Sequence, residues 1–229
     1  MKKYLFTTIS CLLIYATYGQ SDVSFKINLQ YAQTQRPELD NYLNALTDSM
    51  QIEDNLDIGS GMGIGFAMIF GNNKAEFEAG GAYNNFADEV GNDTSNLLNY
   101  KNADITFYFG ANYLPVNFFL LGGSFVINSA NAKCNQSGAG NGDQYLESLP
   151  SVNFNIFKGY SVALKAQSGF YINLNKDDGN RMRLTAYYIY GLSDYNFYTV
   201  SEKQLTGFEG EQKTSYTAAG IELAILFGY

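Results

Sequence analysis

Seven charged residues fall at alternate positions of strand-like segments, on the face opposite the large apolar side chains. They are Lys26, Glu76, Glu78, Asp104, Lys165, Arg183 and Glu222. Charges enclosed in a protein interior are costly unless they pair, so one interpretation is an internal ion-pair network. The other is a constriction that selects small solutes by charge.

Acid–base catalysis is a third chemistry that these residues suggest, and the sequence argues against it. Glu76 and Glu78 share one face of a strand, but no nucleophile or metal-ligand pattern accompanies them. The chain also contains no histidine, the side chain used most often as a catalytic base. We therefore predict no catalytic residue, no metal site and no cofactor, and we expect that the protein is not an enzyme.

The elements that must position these charges are strands with a period of two. In the segment LDIGSGMGIGFAMIFG, glycines and Ala67 alternate with large apolar residues. The large residues are Ile58, Met62, Ile64, Phe66, Met68 and Phe70. A crowded interior favours small side chains, whereas lipid favours large apolar ones. The pattern predicts an all-β fold, an antiparallel up-and-down transmembrane β-barrel.

The alternation predicts ten strands, an even number that brings both chain ends to one side of a membrane. They lie at about residues 22–31, 57–71, 74–85, 100–112, 116–128, 147–157, 160–174, 181–192, 195–203 and 213–229. Two are weakly patterned, because 147–157 contains Pro150 and 195–203 quickly becomes polar. If both are loops, eight strands remain and NKDDGN at 175–180 is a short turn. A soluble β-sandwich is the remaining alternative.

Short and long connections alternate along the chain, as in barrels whose short turns face the periplasm. The short ones are GNNK, YLPV, FKGY and LSDY, and aromatic residues flank each of them as in a membrane-interface girdle. The long ones are residues 32–56, 86–99 and 129–146. Apolar spacing behind Pro37 predicts a short helix near 38–50, either a lid on the barrel rim or a partner-binding element.

The N-terminal segment MKKYLFTTISCLLIYATYGQ has two lysines, an apolar stretch, and small residues before Gln20. This pattern predicts a cleaved signal peptide at residues 1–19, which leaves 20–229 as a single barrel domain. Cys134 would then be a lone thiol, and we expect it in a loop. The net charge of −8 argues against a nucleic-acid partner.

The signal before Gln20, the aromatic-flanked turns and the closing strand GIELAILFGY together resemble a known family. It is the small outer-membrane β-barrel family of Bacteroidota-type bacteria, within the OmpA/OmpX-like group of porin-family barrels. The segment AYYIYGLSDYN at 186–196 resembles one near the last strands of that family. The resemblance implies location in the cell outer membrane. It also implies that the barrel-assembly machinery reads the alternating terminal residues Ile221, Leu223, Ile225, Phe227 and Tyr229.

The function expected from these features is a structural, adhesion or interaction platform that works through long extracellular loops. A narrow porin-like channel for small solutes is the alternative, and a barrel enzyme acting on lipid or peptide is the lesser one. An interior of eight or ten strands is little wider than its own side chains, which favours the platform. The expected partners are outer-membrane lipid, the barrel-assembly machinery, and an envelope protein or extracellular ligand at the loops.

Overall fold

The structure is a computed structural model of the 229-residue chain. It describes residues 22–49, 52–54, 56, 58–72, 74–92, 96–137, 152–174, 180–198 and 211–228. The predicted signal peptide at 1–19 and the terminal Tyr229 lie outside the described residues. So do the tips of several predicted loops.

One helix and ten strands make up the described part of the chain. They are β1 (Asp22–Gln35), α1 (Pro37–Ser49), β2 (Ser60–Gly71), β3 (Ala75–Asn92), β4 (Asn96–Val116), β5 (Phe119–Ser137), β6 (Val152–Asn173), β7 (Arg181–Gly191), β8 (Asp194–Tyr198), β9 (Glu211–Ser215) and β10 (Thr217–Gly228). Eight of the strands close into an antiparallel barrel in the order β1-β10-β7-β6-β5-β4-β3-β2. The remaining two, β8 and β9, pair with each other in a separate sheet.

The barrel therefore has eight strands, so the preferred count of ten is wrong and the alternative count of eight is confirmed, although the described parts of the two weakly patterned segments are strands and not loops. The predicted strands 147–157 and 160–174 merge into β6, because Lys158 and Gly159 stay paired with Asn131 and Ala130 of β5. FKGY is thus extended strand and not a turn. The predicted strand 195–203 overlaps β8, which leaves the barrel wall and pairs with β9. As a result, β7 pairs directly with β10, and LSDY leads from β7 to β8 at the end of the barrel opposite the other short connections, so its prediction as a short turn between barrel strands is wrong.

The two ends of the barrel differ, and we name them by their connections. At the turn end lie the β2–β3, β4–β5 and β6–β7 connections, together with the start of β1 and the finish of β10. The backbone nitrogen of Leu174 donates to the carbonyl oxygen of Asn180, 3.1 Å away, across NKDDGN. At the opposite end, the helix end, lie α1 and the β8–β9 sheet.

The outer surface of the barrel carries an apolar belt. On β1 the outward side chains from Phe25 to Tyr31 are apolar and exposed, and they are followed by the exposed Gln33 and Gln35. With the half-buried Val23 before Phe25, the apolar stretch covers residues 23–31, which matches the roughly nine to eleven residues of a membrane-spanning strand. Other members of the belt are Met62, Ile64, Phe66, Phe107, Phe109, Leu184, Ile221, Leu223, Ile225 and Phe227.

The aromatic residues that flank the predicted turns divide between both ends of the belt. Tyr113 and Phe118 are exposed at the turn end, as expected for an interface girdle. Tyr160 lies at the other limit of the belt, because β6 continues past FKGY. Tyr195 is buried at the helix end, so a single girdle containing all of the predicted aromatics is wrong.

Strands β3, β4 and β5 continue above the belt over residues 86–92, 96–99 and 129–137, within the segments 86–99 and 129–146 that were predicted as long loops. Lys101 of β4, for example, pairs with Ala87 of β3 and Lys133 of β5. The long-loop prediction is therefore wrong for most of the described residues in these segments. The reason is that the inward faces of these extensions pack around α1.

Helix α1 fills the mouth of the barrel at the helix end. Its residues Leu39, Tyr42, Leu43 and Leu46 are buried in one apolar cluster, which we call the helix-end core. The cluster also contains Ile58, Phe86, Val90, Leu98, Tyr100, Ala132 and Cys134. Ile58 precedes β2 and faces inward, so its predicted place on the outward face is wrong. No helix in the described ranges is long and apolar enough to span a bilayer.

Candidate functional site

Small inward residues on β2 make room for the charged interior. Gly61, Gly63, Gly65 and Ala67 line this wall, and the space in front of them is already occupied. A Cβ atom at Gly65 would lie 2.7 Å from Oδ1 of Asn28. Long polar side chains from the other walls can therefore cross the lumen towards β2 without colliding with it.

Four of the predicted charged residues meet at the centre of the barrel in what we call the inner ion cluster. It consists of Lys26 on β1, Glu78 on β3, Arg183 on β7 and Glu222 on β10. Nζ of Lys26 lies 3.0 Å from Oε1 of Glu222 and also contacts Glu78. Arg183 donates to both carboxylates, from Nη1 to Oε2 of Glu78 at 2.8 Å and from Nη2 to Oε1 of Glu222 at 2.8 Å.

The inner ion cluster is balanced and almost fully enclosed. Each acid contacts both bases, and none of the four side chains is more than 1% exposed. Lys26 and Glu222 are not cross-strand partners, since they pair with Leu226 and Gln30. They meet because both side chains extend along the lumen. Their contact is expected, because β1 and β10 are the first and last strands and pair with each other when the barrel closes.

The other three predicted charged residues occupy separate places. Glu76 accepts a hydrogen bond from the Tyr171 hydroxyl at 2.5 Å, and Arg181 lies 3.8 Å away near the turn end. Lys165 lies between two tyrosine rings, with Nζ 5.0 Å from the centre of Tyr108 and 4.7 Å from that of Tyr187. Such cation–π contacts partly replace a counter-ion.

Asp104 pairs with Arg36, a residue that sequence reasoning missed. Nη2 of Arg36 donates to Oδ2 of Asp104 at 2.9 Å, and both side chains are buried. Arg36 lies between β1 and α1, in a segment that was predicted as loop. The strand parity of Lys26, continued through Thr34, would have predicted it as an inward residue.

Arg36 also connects α1 to the later part of the chain. Its guanidinium carbon lies 5.7 to 6.0 Å from the ring centres of Phe86, Tyr195 and Tyr216. Burial alone would lower the pKa of Arg36, but the neighbouring Asp104 carboxylate reverses this effect and raises it. The guanidinium therefore stays charged, and it ties the start of α1 to β8 and to the residue that follows β9.

Further layers fill the lumen on both sides of the inner ion cluster. An apolar layer closes the turn end and is formed by Ile69, Leu114, Leu120, Tyr171, Ala224 and Leu226. Towards the helix end, Gln30 donates to Asn84 at 2.5 Å and Asn128 donates to Thr106 at 3.1 Å. A cavity of about 10 Å³ beside Lys165 has the size of about one water molecule. In the described part of the chain, these layers and the inner ion cluster occupy successive levels of the lumen.

Cys134 is an inward residue of β5 and is buried in the helix-end core, so its prediction as a loop thiol is wrong. Burial raises the pKa of the Cys134 thiol to about 12, which leaves it neutral and unreactive at neutral pH. Among the described residues, no group of three or more potential ligands is placed to hold a metal ion.

The predicted assembly signal lies on the lipid-facing side of β10. Ile221, Leu223, Ile225 and Phe227 are exposed, whereas Glu222 between them is buried. Tyr229 lies outside the described residues. Recognition of this strand by the assembly machinery stays a prediction.

These features define a class of protein: an eight-stranded antiparallel barrel with an apolar outer belt and a filled, charged interior. No protein-family model matches the chain, and no curated protein matches it significantly.

Several solved structures have a similar fold. The attachment invasion locus protein Ail of Yersinia pestis is 11% identical, with 92% of this chain and 100% of that one covered, at a TM-score of 0.47. The outer membrane protein OprG of Pseudomonas aeruginosa is 12% identical, with 91% and 98% covered, at 0.47. Neisserial surface protein A is 8% identical, with 92% and 100% covered, at 0.43. Likeness at this level carries no argument about function.

Proposed function

We propose that this protein is an integral outer-membrane barrel that acts as a structural, adhesion or interaction platform through its helix end. In this proposal the apolar belt contacts the hydrocarbon, the turn end faces the periplasm and the helix end faces outward. The belt supports the first part, because a row such as Phe25, Ile27 and Leu29 is exposed beside buried Lys26 and Asn28. Burying such a surface against lipid satisfies both faces of the strand.

The side chains that occupy the lumen are the single observation that favours a platform function over a channel function. The inner ion cluster crosses the barrel from Glu78 on β3 to Arg183 on β7, two strands on opposite sides of the barrel, and an apolar layer lies on its turn-end side. Hydrated ions are larger than the one-water cavity beside Lys165. The charge cluster is therefore proposed as a structural network that holds the barrel walls together, and not as a selectivity constriction.

The helix end has the properties of a rigid support. From Ile105, at the edge of the belt, β4 continues to Asn96 while paired on both sides for most of this length. At about 3.3 Å per residue this extension is about 30 Å long. Its inward face is held by the helix-end core, so the outward face is presented on a packed base. We propose that contacts with an envelope protein or an extracellular ligand are made there.

A non-enzymatic role completes the proposal. The absence of histidine from the whole sequence supports it. In addition, the carboxylates of Glu78 and Glu222 are each engaged by two basic side chains, so neither is placed to act on a substrate.

The location and orientation can be tested by labelling intact cells. Single cysteines would replace Asn41, which is exposed on α1, or Lys74, which is exposed at the turn end, in a chain carrying Cys11→Ser and Cys134→Ala. A membrane-impermeant maleimide is expected to label Asn41→Cys on intact cells and Lys74→Cys only after the outer membrane is opened. Labelling of both sites, or of Lys74→Cys alone, on intact cells would contradict the proposed orientation.

Conductance separates the platform from the channel. The purified barrel is expected to give no reproducible open steps in planar bilayers at high salt, while a wide-lumen porin in the same bilayers conducts. Regular steps above the leak of a protein-free bilayer would overturn the platform and favour the narrow channel.

A further inference from the structure

Two lysines face each other on the outer surface of the barrel above the belt. Lys101 of β4 and Lys133 of β5 are directly opposite in the strand register, and both are exposed. Opposite residues of an antiparallel pair point to the same face, with Cβ atoms about 5 Å apart. The two ammonium groups therefore share one small area of the surface.

Nothing in the described part of the chain neutralises this pair. Among the residues that the structure describes, no carboxylate lies within ion-pair distance of either lysine. The nearest acid in the strand register on the same face, Glu89, accepts a hydrogen bond from Asn99 at 2.5 Å. Like charges placed directly opposite each other destabilise a sheet. A lysine pair without an ion-pair partner among the described residues, in a chain with 22 acids and 14 bases, is a place where an external anion can bind.

The position of the pair relative to the belt suggests the source of that anion. On the outward face of β4, Lys101 lies above Ile105, towards the helix end, with only Ala103 between them. Four residues span about 13 Å along a strand, or about 10 Å along the barrel axis when the strand is tilted by about 40°. The headgroup region extends about 5 to 8 Å beyond the hydrocarbon. A lysine side chain at this height can therefore reach back to lipid phosphates.

We propose that Lys101 and Lys133 form a docking site for the phosphate groups of a phosphorylated glycolipid in the outer leaflet. This inference rests on the proposed membrane location and deepens it by naming a lipid partner. The belt below the pair, including Ile105 and Ile127, contacts the acyl chains of the same lipid. The two ammonium groups then bind the phosphate as paired point charges, the mode by which lysine commonly holds phosphate.

The test measures binding of bisphosphorylated lipid A to the full-length folded barrel in neutral detergent micelles containing EDTA. The double variant Lys101→Gln/Lys133→Gln removes the pair. The matched control Lys74→Gln/Lys213→Gln removes two exposed lysines elsewhere, at the turn end and on β9, so the net charge changes equally. We expect about fivefold weaker binding per lysine, or roughly 25-fold for the pair, and little change in the control. Dephosphorylated lipid A is expected to bind the native barrel as weakly as it binds the variant.

Three results would overturn the docking site. One is equal weakening by the two double variants, which would indicate a general charge effect. Another is loss of native binding in EDTA, which would indicate that divalent cations bridge the lipid to acidic residues. The third is tighter or equal binding of the dephosphorylated lipid. Cell labelling of Asn41→Cys does not depend on these lysines, so the docking site and the proposed location can fail separately. Heat-modifiable migration checks that each variant is folded.

Discussion

The two halves of β3 show opposite polarity. In the half nearer the turn end, Glu78 points inward, while Tyr83 points outward into the belt. In the half nearer the helix end, Phe86 points inward and Glu89 points outward. Over the half nearer the turn end, β3 thus has a polar inward face and an apolar outward face. Over the other half it has an apolar inward face and a polar outward face, as in a water-soluble protein. The medium outside the wall decides which face is apolar, because lipid and water select opposite side chains.

The interiors of the two halves are consequently stabilised by different forces. The inner ion cluster depends on charges that must remain paired, since removal of one partner leaves another charge buried. The helix-end core depends on apolar burial and close packing, as in a water-soluble domain. The comparison predicts that loss of one charge from the inner ion cluster lowers the stability of the whole barrel. Shortening an aliphatic side chain in the helix-end core is expected to lower only the local stability of that end.

The largest effect is expected from Arg183→Met. Glu78 and Glu222 would then have ion-pair contact with Lys26 only, so the enclosed cluster would contain one more acid than base. The free energy of unfolding is expected to fall by about 3–5 kcal/mol, measured by urea unfolding in lipid vesicles. The double variant Arg183→Met/Glu222→Gln keeps a one-to-one pair and is expected to recover part of the loss. Native stability in Arg183→Met would contradict the role of the cluster.

Shortening a helix side chain tests the other interior. Leu43→Ala removes a fully enclosed side chain from the helix-end core, and local stability is expected to fall by about 2–5 kcal/mol. Cys134, with its pKa of about 12 and its place in the same core, reports on this region. In a chain carrying Cys11→Ser, its alkylation at pH 8 is expected to accelerate about 30-fold or more.

The same substitution should leave the membrane-spanning half of the barrel intact. Heat-modifiable migration of Leu43→Ala is therefore expected to match that of the native barrel. Asn41→Ala, on the exposed face of the same helix, is the control and is expected to leave the alkylation rate of Cys134 unchanged. If Leu43→Ala abolishes barrel folding, the helix-end core and the membrane-spanning half do not fold independently, which would contradict the comparison.

The smallest of these effects is expected on the outer surface, where the boundary of the belt can be located. Ile64→Lys places a charge on the lipid face of β2, and a loss of about 2–4 kcal/mol is expected in vesicles. Gln35→Lys lies above the belt on β1 and is expected to change stability by at most about 0.5 kcal/mol. Equal losses at the two positions would show that the belt does not end near Tyr31.

Several features could be read from the sequence because they depend on a period of two. The parity of Lys26 and Glu222 placed both side chains on the inward face, and the parity of Ile221 and Leu223 placed theirs outward. The eight-strand alternative followed from the weak patterning of two segments. Arg36 was missed although its parity was visible, because Pro37 and the polar residues around it indicated a loop.

Other features depended on partners that the alternation does not specify. FKGY has the composition of a turn, yet Lys158 and Gly159 continue a strand because β5 extends far enough to pair with them. Tyr195 follows a turn-like segment, yet it is buried beside Arg36 because β8 pairs with β9 above the barrel wall. In both cases long-range pairing outweighed local preference, as is common for strands.

By itself the sequence determined which side chains share a face of each strand, because consecutive residues of a strand must point in opposite directions. It thereby determined the lipid-facing belt and the set of inward charges. Only the tertiary structure decided how many strands close the barrel, which of those charges meet, and where the interior changes from ionic to apolar. These outcomes depend on register and closure between residues far apart in the chain, and no local pattern encodes the distance between Arg183 and Glu78.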